Sequence, residues 1–152
     1  MNKNSLLLVF LILVVQSITA QDFEKVFISE SDTLNLYISD GESLELYYLK
    51  LIPKGIIKGA IVILPSGGET TEDLLRQISI PELALENGIA TIIPSINWGT
   101  EDRVAEMQLL DTIFRDVISD YGIPMDKFIL GGLSNGGMVS LKYAQQANKW
   151  EG

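Results

Sequence analysis

Three short apolar runs, each followed by a loop and a helical pattern, constrain the fold of this chain most strongly. The runs are AIVIL at 60–64, IATII at 89–93 and KFILG at 127–131. Runs of this length are typical of strands that are covered on both faces of a sheet. Apolar side chains recur at helical spacing over 104–121, and a further helix is predicted over 138–147. Strands that alternate with helices in this way predict an α/β fold with a mostly parallel sheet.

The segment before these runs predicts antiparallel strands instead. Apolar or alternating residues occupy 26–28, 34–38 and 44–51, and Asp40-Gly41 is a turn signal between the last two. We therefore expect an N-terminal antiparallel hairpin that leads into the parallel sheet. Because no repeat or low-complexity tract interrupts the chain, we predict one domain over 21–152.

Local signals predict where the helix between the first two apolar runs begins and ends. Thr70 and Thr71 are candidate N-cap residues, because a hydroxyl oxygen can accept a hydrogen bond from the first turn of a helix. Pro81 could open a second helical piece, since proline is favoured at the first helical position. Asn87-Gly88 is a stop signal at the end of that piece.

The first 20 residues have the pattern of an export signal. Lys3 provides a positive start, and residues 6–15 form an unbroken apolar run. The small residue Ala20 precedes Gln21, so we expect cleavage near Ala20 and a periplasmic or extracellular location. An apolar run of this length falls short of the ~20 residues that span a bilayer, so no stable membrane anchor is predicted.

Composition excludes several classes of partner and cofactor. The formal net charge of −9 leaves no basic stripe for a nucleic-acid backbone. The sequence contains no Cys and no His, which are the side chains that hold zinc, haem and iron–sulfur clusters. It also lacks a calcium-binding loop of the EF-hand type. We therefore predict no nucleic-acid partner, no metal site and no cofactor.

A G-x-S-x-G motif lies between the third apolar run and the last predicted helix. It consists of Gly132, Leu133, Ser134, Asn135 and Gly136. A serine on a tight strand-to-helix turn presents its hydroxyl above the strand ends, and the flanking glycines carry no Cβ that would collide with the neighbouring strand and helix. The motif predicts a nucleophile elbow with Ser134 as nucleophile. The N–H of Asn135 would be one donor to the oxyanion that forms when the hydroxyl attacks a carbonyl.

A second glycine loop follows the first apolar run. Ser66-Gly67-Gly68 comes directly after AIVIL and Pro65. In a sheet with a nucleophile elbow, the other oxyanion donor comes from the loop at this position. Gly67 is the better candidate and Gly68 the second, because the sequence does not fix the register of the loop. Since both loops follow parallel strands, they are expected to meet in one crevice at the carboxyl edge of the sheet.

The run YGIPMDKFILGGLSNGGM at 121–138 resembles secreted esterases of the α/β-hydrolase family. Members similar to polyhydroxybutyrate depolymerases and feruloyl esterases place Ser-Asn-Gly-Gly at the elbow. The resemblance covers residues 44–147 and implies acyl transfer from a small-molecule ester or acyl substrate to Ser134, followed by hydrolysis of the acyl-enzyme. Pro65-Ser66 stands where the family often has His-Gly.

The family also implies an acid and a histidine on strands beyond the elbow, whereas this sequence has no histidine. Without an imidazole, a serine hydroxyl is a poor nucleophile. We therefore expect residues 21–152 to be the N-terminal part of an α/β-hydrolase domain, truncated after the elbow strand and helix, and catalytically incomplete as it stands.

An alternative of a different class stays open. The chain could be a non-catalytic binding module on a reduced hydrolase scaffold that uses the same crevice. In either case Glu69 and Trp98 are possible substrate or ligand contacts, because both are predicted to lie on loops at the carboxyl edge of the sheet.

Overall fold

The computed structural model describes residues 23–28, 46–96 and 104–147. The strands in these ranges are β1 (Glu24–Phe27), β2 (Tyr47–Leu51), β3 (Gly59–Leu64), β4 (Ile89–Pro94) and β5 (Phe128–Gly132). The α-helices are α1 (Thr71–Leu75), α2 (Ile80–Glu86), α3 (Val104–Tyr121) and α4 (Asn135–Ala147), and a 3-10 turn spans Met125–Lys127. Each of the three apolar runs forms a strand, as predicted. Burial on both faces holds for β3 and β4 but not for β5, where Ile129 is 58% exposed.

The strands form one sheet in the order β1-β2-β4-β3-β5. β3 lies at the centre of the parallel part and pairs with β4 on one side and β5 on the other. β2 pairs antiparallel with both β1 and β4. The predicted fold class, a mostly parallel sheet with an antiparallel N-terminal part, is confirmed. The predicted strand at 34–38 and the turn at Asp40-Gly41 lie outside the described residues.

Helices cover both faces of the two central strands, β3 and β4. One core contains Val62 and Ile92 together with Leu110, Ile113 and Val139 from α3 and α4. The second core, on the opposite face, joins Ile63 and Ile93 to Leu74 of α1. Because successive residues of a strand point to opposite faces, the apolar runs in β3 and β4 supply both cores at once. This explains why they carry so few polar residues.

The predicted helix boundaries hold except at the start of the last helix. The Thr70 hydroxyl caps α1 by accepting from the Asp73 N–H at 3.1 Å. Pro81 lies in the first turn of α2, and Gly88 follows that helix with a φ of 76°. The last helix is present and ends at Ala147 as predicted, but its predicted start was wrong, because α4 begins at Asn135 and not at Met138. Gly136 and Gly137 lie in the first turn of α4. Close contacts with the backbone of Pro65 and Gly132 favour glycine over residues with a side chain there. Within the described ranges, none of the helices is long and apolar enough to cross a bilayer.

Candidate active site

The turn between β5 and α4 holds Ser134 in a strained backbone conformation. Its φ is 47°, and it is the one non-glycine residue with a positive φ in the described part of the chain. The Gly136 N–H donates to Leu133 O at 2.8 Å and the Met138 N–H donates to Ser134 O at 3.1 Å, which closes the turn. Ser134 is exposed. Since a left-handed conformation costs a non-glycine residue roughly 1–3 kcal/mol, the surrounding structure has to hold it there.

Glycines allow the elbow to pack against β3. A Cβ on Gly132 would lie 2.6 Å from the carbonyl carbon of Gly136, so strand and helix approach too closely for a side chain at this position. A Cβ on Gly136 would lie 2.6 Å from the carbonyl oxygen of Pro65. Gly137 is less constrained, with 3.1 Å from its Cβ position to Gly132 O. The two glycines of the motif are therefore required by close contact between backbones.

The loop after β3 is a tight turn over residues 66–69. The Glu69 N–H donates to Ser66 O at 3.1 Å. Gly68, at the third position, has a φ of 77°, which is the conformation that a type II turn requires there. Gly67 is the second residue of the turn, and its N–H takes no part in the hydrogen bond that closes the turn. Gly67 and Gly68 thus have different positions, since Gly68 has the left-handed conformation that shapes the turn and Gly67 is an exposed residue at the second position.

The two loops meet at the carboxyl edge of the sheet. Leu64 and Gly132 are paired neighbours at the ends of β3 and β5, and the Leu133 N–H donates to Leu64 O at 3.1 Å. Beyond them, Gly67 lies directly against the side-chain amide of Asn135, so that a Cβ on Gly67 would overlap the Asn135 Nδ2. The structure therefore brings together the sequence-predicted residues Ser134, Asn135 and Gly67.

The electrostatics of this edge favour a negative charge beside Ser134. Asn135 is the first residue of α4, and the first N–H groups of a helix have no acceptor within the helix. The aligned peptide dipoles add a partial positive charge at the same end. The first turn of α4 contains no acidic residue that would neutralise this charge. The arrangement can therefore stabilise the negatively charged oxygen of a carbonyl group whose carbon has bonded to the Ser134 Oγ.

The two residues that sequence reasoning assigned to substrate contact have different outcomes. Glu69 lies in the turn after β3, and its carboxylate accepts a hydrogen bond from the Ser66 N–H at 2.8 Å. Gln77, which sequence reasoning missed, donates from its side-chain amide to the same carboxylate. No short-range motif links Gln77 to Glu69, because the contact depends on the fold of α1 between them. Trp98 lies outside the described residues.

No protein-family model and no curated protein matches the sequence. Solved structures do match. A serine hydrolase homologue from Coxiella burnetii has 20% identity and a TM-score of 0.54 over 80% of this chain and 56% of its own. S-formylglutathione hydrolase from Staphylococcus aureus has 15% identity and a TM-score of 0.63 over 83% and 52%. A carboxyl esterase from Bacillus coagulans has 15% identity and a TM-score of 0.59 over 80% and 39%.

These matches define the class of fold. The sheet order, the helices on both faces of β3 and β4 and the matched structures show that the described residues form part of the α/β-hydrolase fold. The chain spans about half the length, or less, of the structures that it matches. The fold prediction is confirmed, and the chemistry of the site is a proposal.

Proposed function

We propose that the chain carries the nucleophile and the oxyanion hole of an exported serine hydrolase that cleaves carboxylic esters through an acyl-enzyme on Ser134. The observation that carries this proposal is the exposed Ser134 in a left-handed conformation at the turn between β5 and α4. Strain of this kind is characteristic of a nucleophile elbow. The matched structures include a serine hydrolase homologue, an S-formylglutathione hydrolase and a carboxyl esterase, which supports the same class of reaction.

The proposed reaction has two steps. The Ser134 Oγ attacks the ester carbonyl, its proton passes to a base, and the N–H groups of Asn135 and Gly67 donate to the oxyanion. The alcohol then leaves with a proton, and the acyl group stays on the Oγ. Water attacks the acyl-enzyme through a second oxyanion in the same position, releases the acid and restores the hydroxyl. One oxyanion donor is worth roughly 100-fold or more in rate.

The base has to come from outside these residues. The sequence contains no histidine, and a serine hydroxyl at its ordinary acidity is a poor nucleophile. We propose that the rest of a longer protein supplies the histidine and the acid that holds it. Sequencing the source DNA beyond the codon for Gly152 tests this point. An open frame that continues to an Asp and a His supports the hydrolase, whereas an immediate stop codon favours the binding module.

Reactivity of Ser134 can be measured directly with a fluorophosphonate probe. We expect slow labelling of the 152-residue chain, faster labelling when free imidazole is added as an external base, and none in Ser134→Ala. Peptide mapping by mass spectrometry locates the label. Strong labelling without imidazole would show that this chain contains an unrecognised base. No labelling of Ser134 under either condition would refute the proposed nucleophile and favour a non-catalytic module.

We also propose that the protein is exported. The apolar run at 6–15, which follows Lys3 and precedes Ala20, supports this. Expression of the full chain in a bacterial host and N-terminal sequencing of the secreted or periplasmic product should give a mature protein that begins near Gln21. Recovery of the intact chain from the cytosol alone would contradict the proposal.

A further inference from the structure

The carboxylate of Glu69 is bound within the loop that follows β3. Its Oε2 accepts from the Ser66 N–H at 2.8 Å, and its Oε1 accepts from the side-chain amide of Gln77. The main chains of the same two residues are also joined, because the Glu69 N–H donates to Ser66 O at 3.1 Å. Ser66 and Glu69 therefore hold each other by two hydrogen bonds, one of them charge-assisted. Both carboxylate oxygens already accept hydrogen bonds.

Gln77 connects this contact to the core. Its side-chain amide also donates to Asp73 O at 3.3 Å, and its main-chain N–H donates to Leu74 O at 2.9 Å. Leu74 is fully buried in the core that α1 shares with the sheet. The hydrogen bonds of Gln77 thus join Glu69 of the loop to α1, whose position is fixed by the packing of Leu74. A turn with two glycines would otherwise be free to adopt other conformations.

The contact also determines which N–H groups remain for a ligand. The Ser66 N–H is occupied by Glu69, whereas the Gly67 N–H is the next one in the turn, and the Gly67 Cα faces the side-chain amide of Asn135. A carboxylate near a developing oxyanion does not stabilise its charge, since like charges repel. Glu69 therefore contributes by geometry and not by its field.

We propose that Glu69 is a positioning residue, which fixes the turn over 66–69 so that the Gly67 N–H and the Asn135 N–H donate to the same oxyanion. This inference rests on the proposed function of Ser134. It gives Glu69 a role different from a substrate contact. It predicts that a neutral side chain with the same hydrogen-bonding oxygen can replace the carboxylate.

Three variants separate positioning from charge and from helix stability. Glu69→Ala removes the acceptor, Glu69→Gln keeps an acceptor without the charge, and Thr70→Ala removes the cap of α1 but leaves the contact with Ser66 intact. Amide hydrogen exchange of Ser66, followed by NMR, reports the turn without any chemistry. We expect exchange to accelerate at least about tenfold in Glu69→Ala, because the Ser66 N–H loses its hydrogen bond to a charged acceptor. Glu69→Gln should restore most of the protection, and Thr70→Ala should leave it near the parent value.

The second measurement is the saturation rate of fluorophosphonate labelling at Ser134 with imidazole present. We expect the maximal rate in Glu69→Ala to fall about tenfold, which is less than the loss of a whole oxyanion donor. The probe concentration at half-saturation should not change, because ground-state binding is not affected. Glu69→Gln should label at the parent rate or faster.

The possible outcomes are distinct. Unchanged Ser66 exchange in Glu69→Ala would overturn the proposal, as would equal losses in Glu69→Gln and Glu69→Ala. Equal losses in Thr70→Ala and Glu69→Ala would assign the effect to the stability of α1 and overturn it as well. If the parent chain is not labelled at all, the proposed function fails, while the exchange measurement still decides whether Glu69 holds the turn.

Discussion

Gly136 lies where α4 contacts the end of β3, and its replacement by alanine tests whether that contact fixes the elbow. The new Cβ would lie 2.6 Å from Pro65 O and 2.9 Å from Leu64 C. Both are backbone atoms, and β3 is paired on both sides, so α4 has to move instead. Forcing a methyl group into a packed site costs about 1–3 kcal/mol, and with two backbone contacts we take the upper end. Alanine recovers about 1 kcal/mol of helix propensity over glycine. The net loss of unfolding free energy is therefore about 2 kcal/mol.

Urea unfolding followed by far-UV circular dichroism measures this loss at low protein concentration. The matched control is Gly131→Ala in the adjacent strand, where a Cβ would meet nothing within 4 Å and φ is not positive. We expect the control to stay within about 0.5 kcal/mol of the parent chain. Gly136→Ala should also lower the imidazole-dependent labelling of Ser134, because the displaced helix carries Asn135 with it.

Equal stability of Gly136→Ala and the parent chain would refute the reasoning, because the backbones would then not be in the close contact that the glycine permits. An equal loss in Gly131→Ala would refute it too, since the effect would then reflect any added methyl group near the elbow. A loss of stability with unchanged labelling would show that the packing at Gly136 does not position Ser134.

Three further predictions follow from the same structure. Ser134→Gly should be about 1 kcal/mol more stable to urea than Ser134→Ala, because glycine adopts a φ of 47° without strain; equal stabilities would contradict the strain. Burial, together with the carboxylates of Asp116 and Asp120, raises the pKa of Tyr48 from 10.0 to about 12. The unfolded chain therefore loses the Tyr48 proton first, so stability should fall as pH rises from 10 towards 12, and Tyr48→Phe should flatten that slope in urea unfolding at alkaline pH. The outer side of β5 has no paired strand among the described residues, and Ile129 of β5 is 58% exposed. The chain should thus self-associate in sedimentation velocity, and Ile129→Glu should reduce the association, while unchanged sedimentation would place the contact elsewhere.

Much of the fold follows from short stretches of sequence. The apolar runs at 60–64 and 89–93 form buried strands because a strand covered on both faces needs apolar residues at every position. Thr70 caps α1, and Gly88 ends α2 in a left-handed conformation. Each signal acts within a few residues of the chain. It could therefore be interpreted without knowledge of what packs against it.

The start of α4 could not be predicted in this way. Gly136 and Gly137 are poor helix formers, so the sequence placed the helix start at Met138. The observed start at Asn135 depends on close contacts of these glycines with Pro65 and Gly132. Tertiary packing thus overrides helix propensity at the point where the elbow requires it.

The candidate site also combines features that short stretches of sequence indicate with features that depend on tertiary packing. The G-x-S-x-G motif was enough to place Ser134 between a strand and a helix, and the glycines at 67 and 68 were enough to place a loop after β3. The contact of Gly67 with Asn135 and the hydrogen bond from the Ser66 N–H to Glu69 exist only in the folded chain. The two kinds of feature differ in their distance along the chain. A motif records the local backbone that a turn requires, whereas the approach of two loops is set by the pairing of β3 with β5 and by the packing of the helices on them.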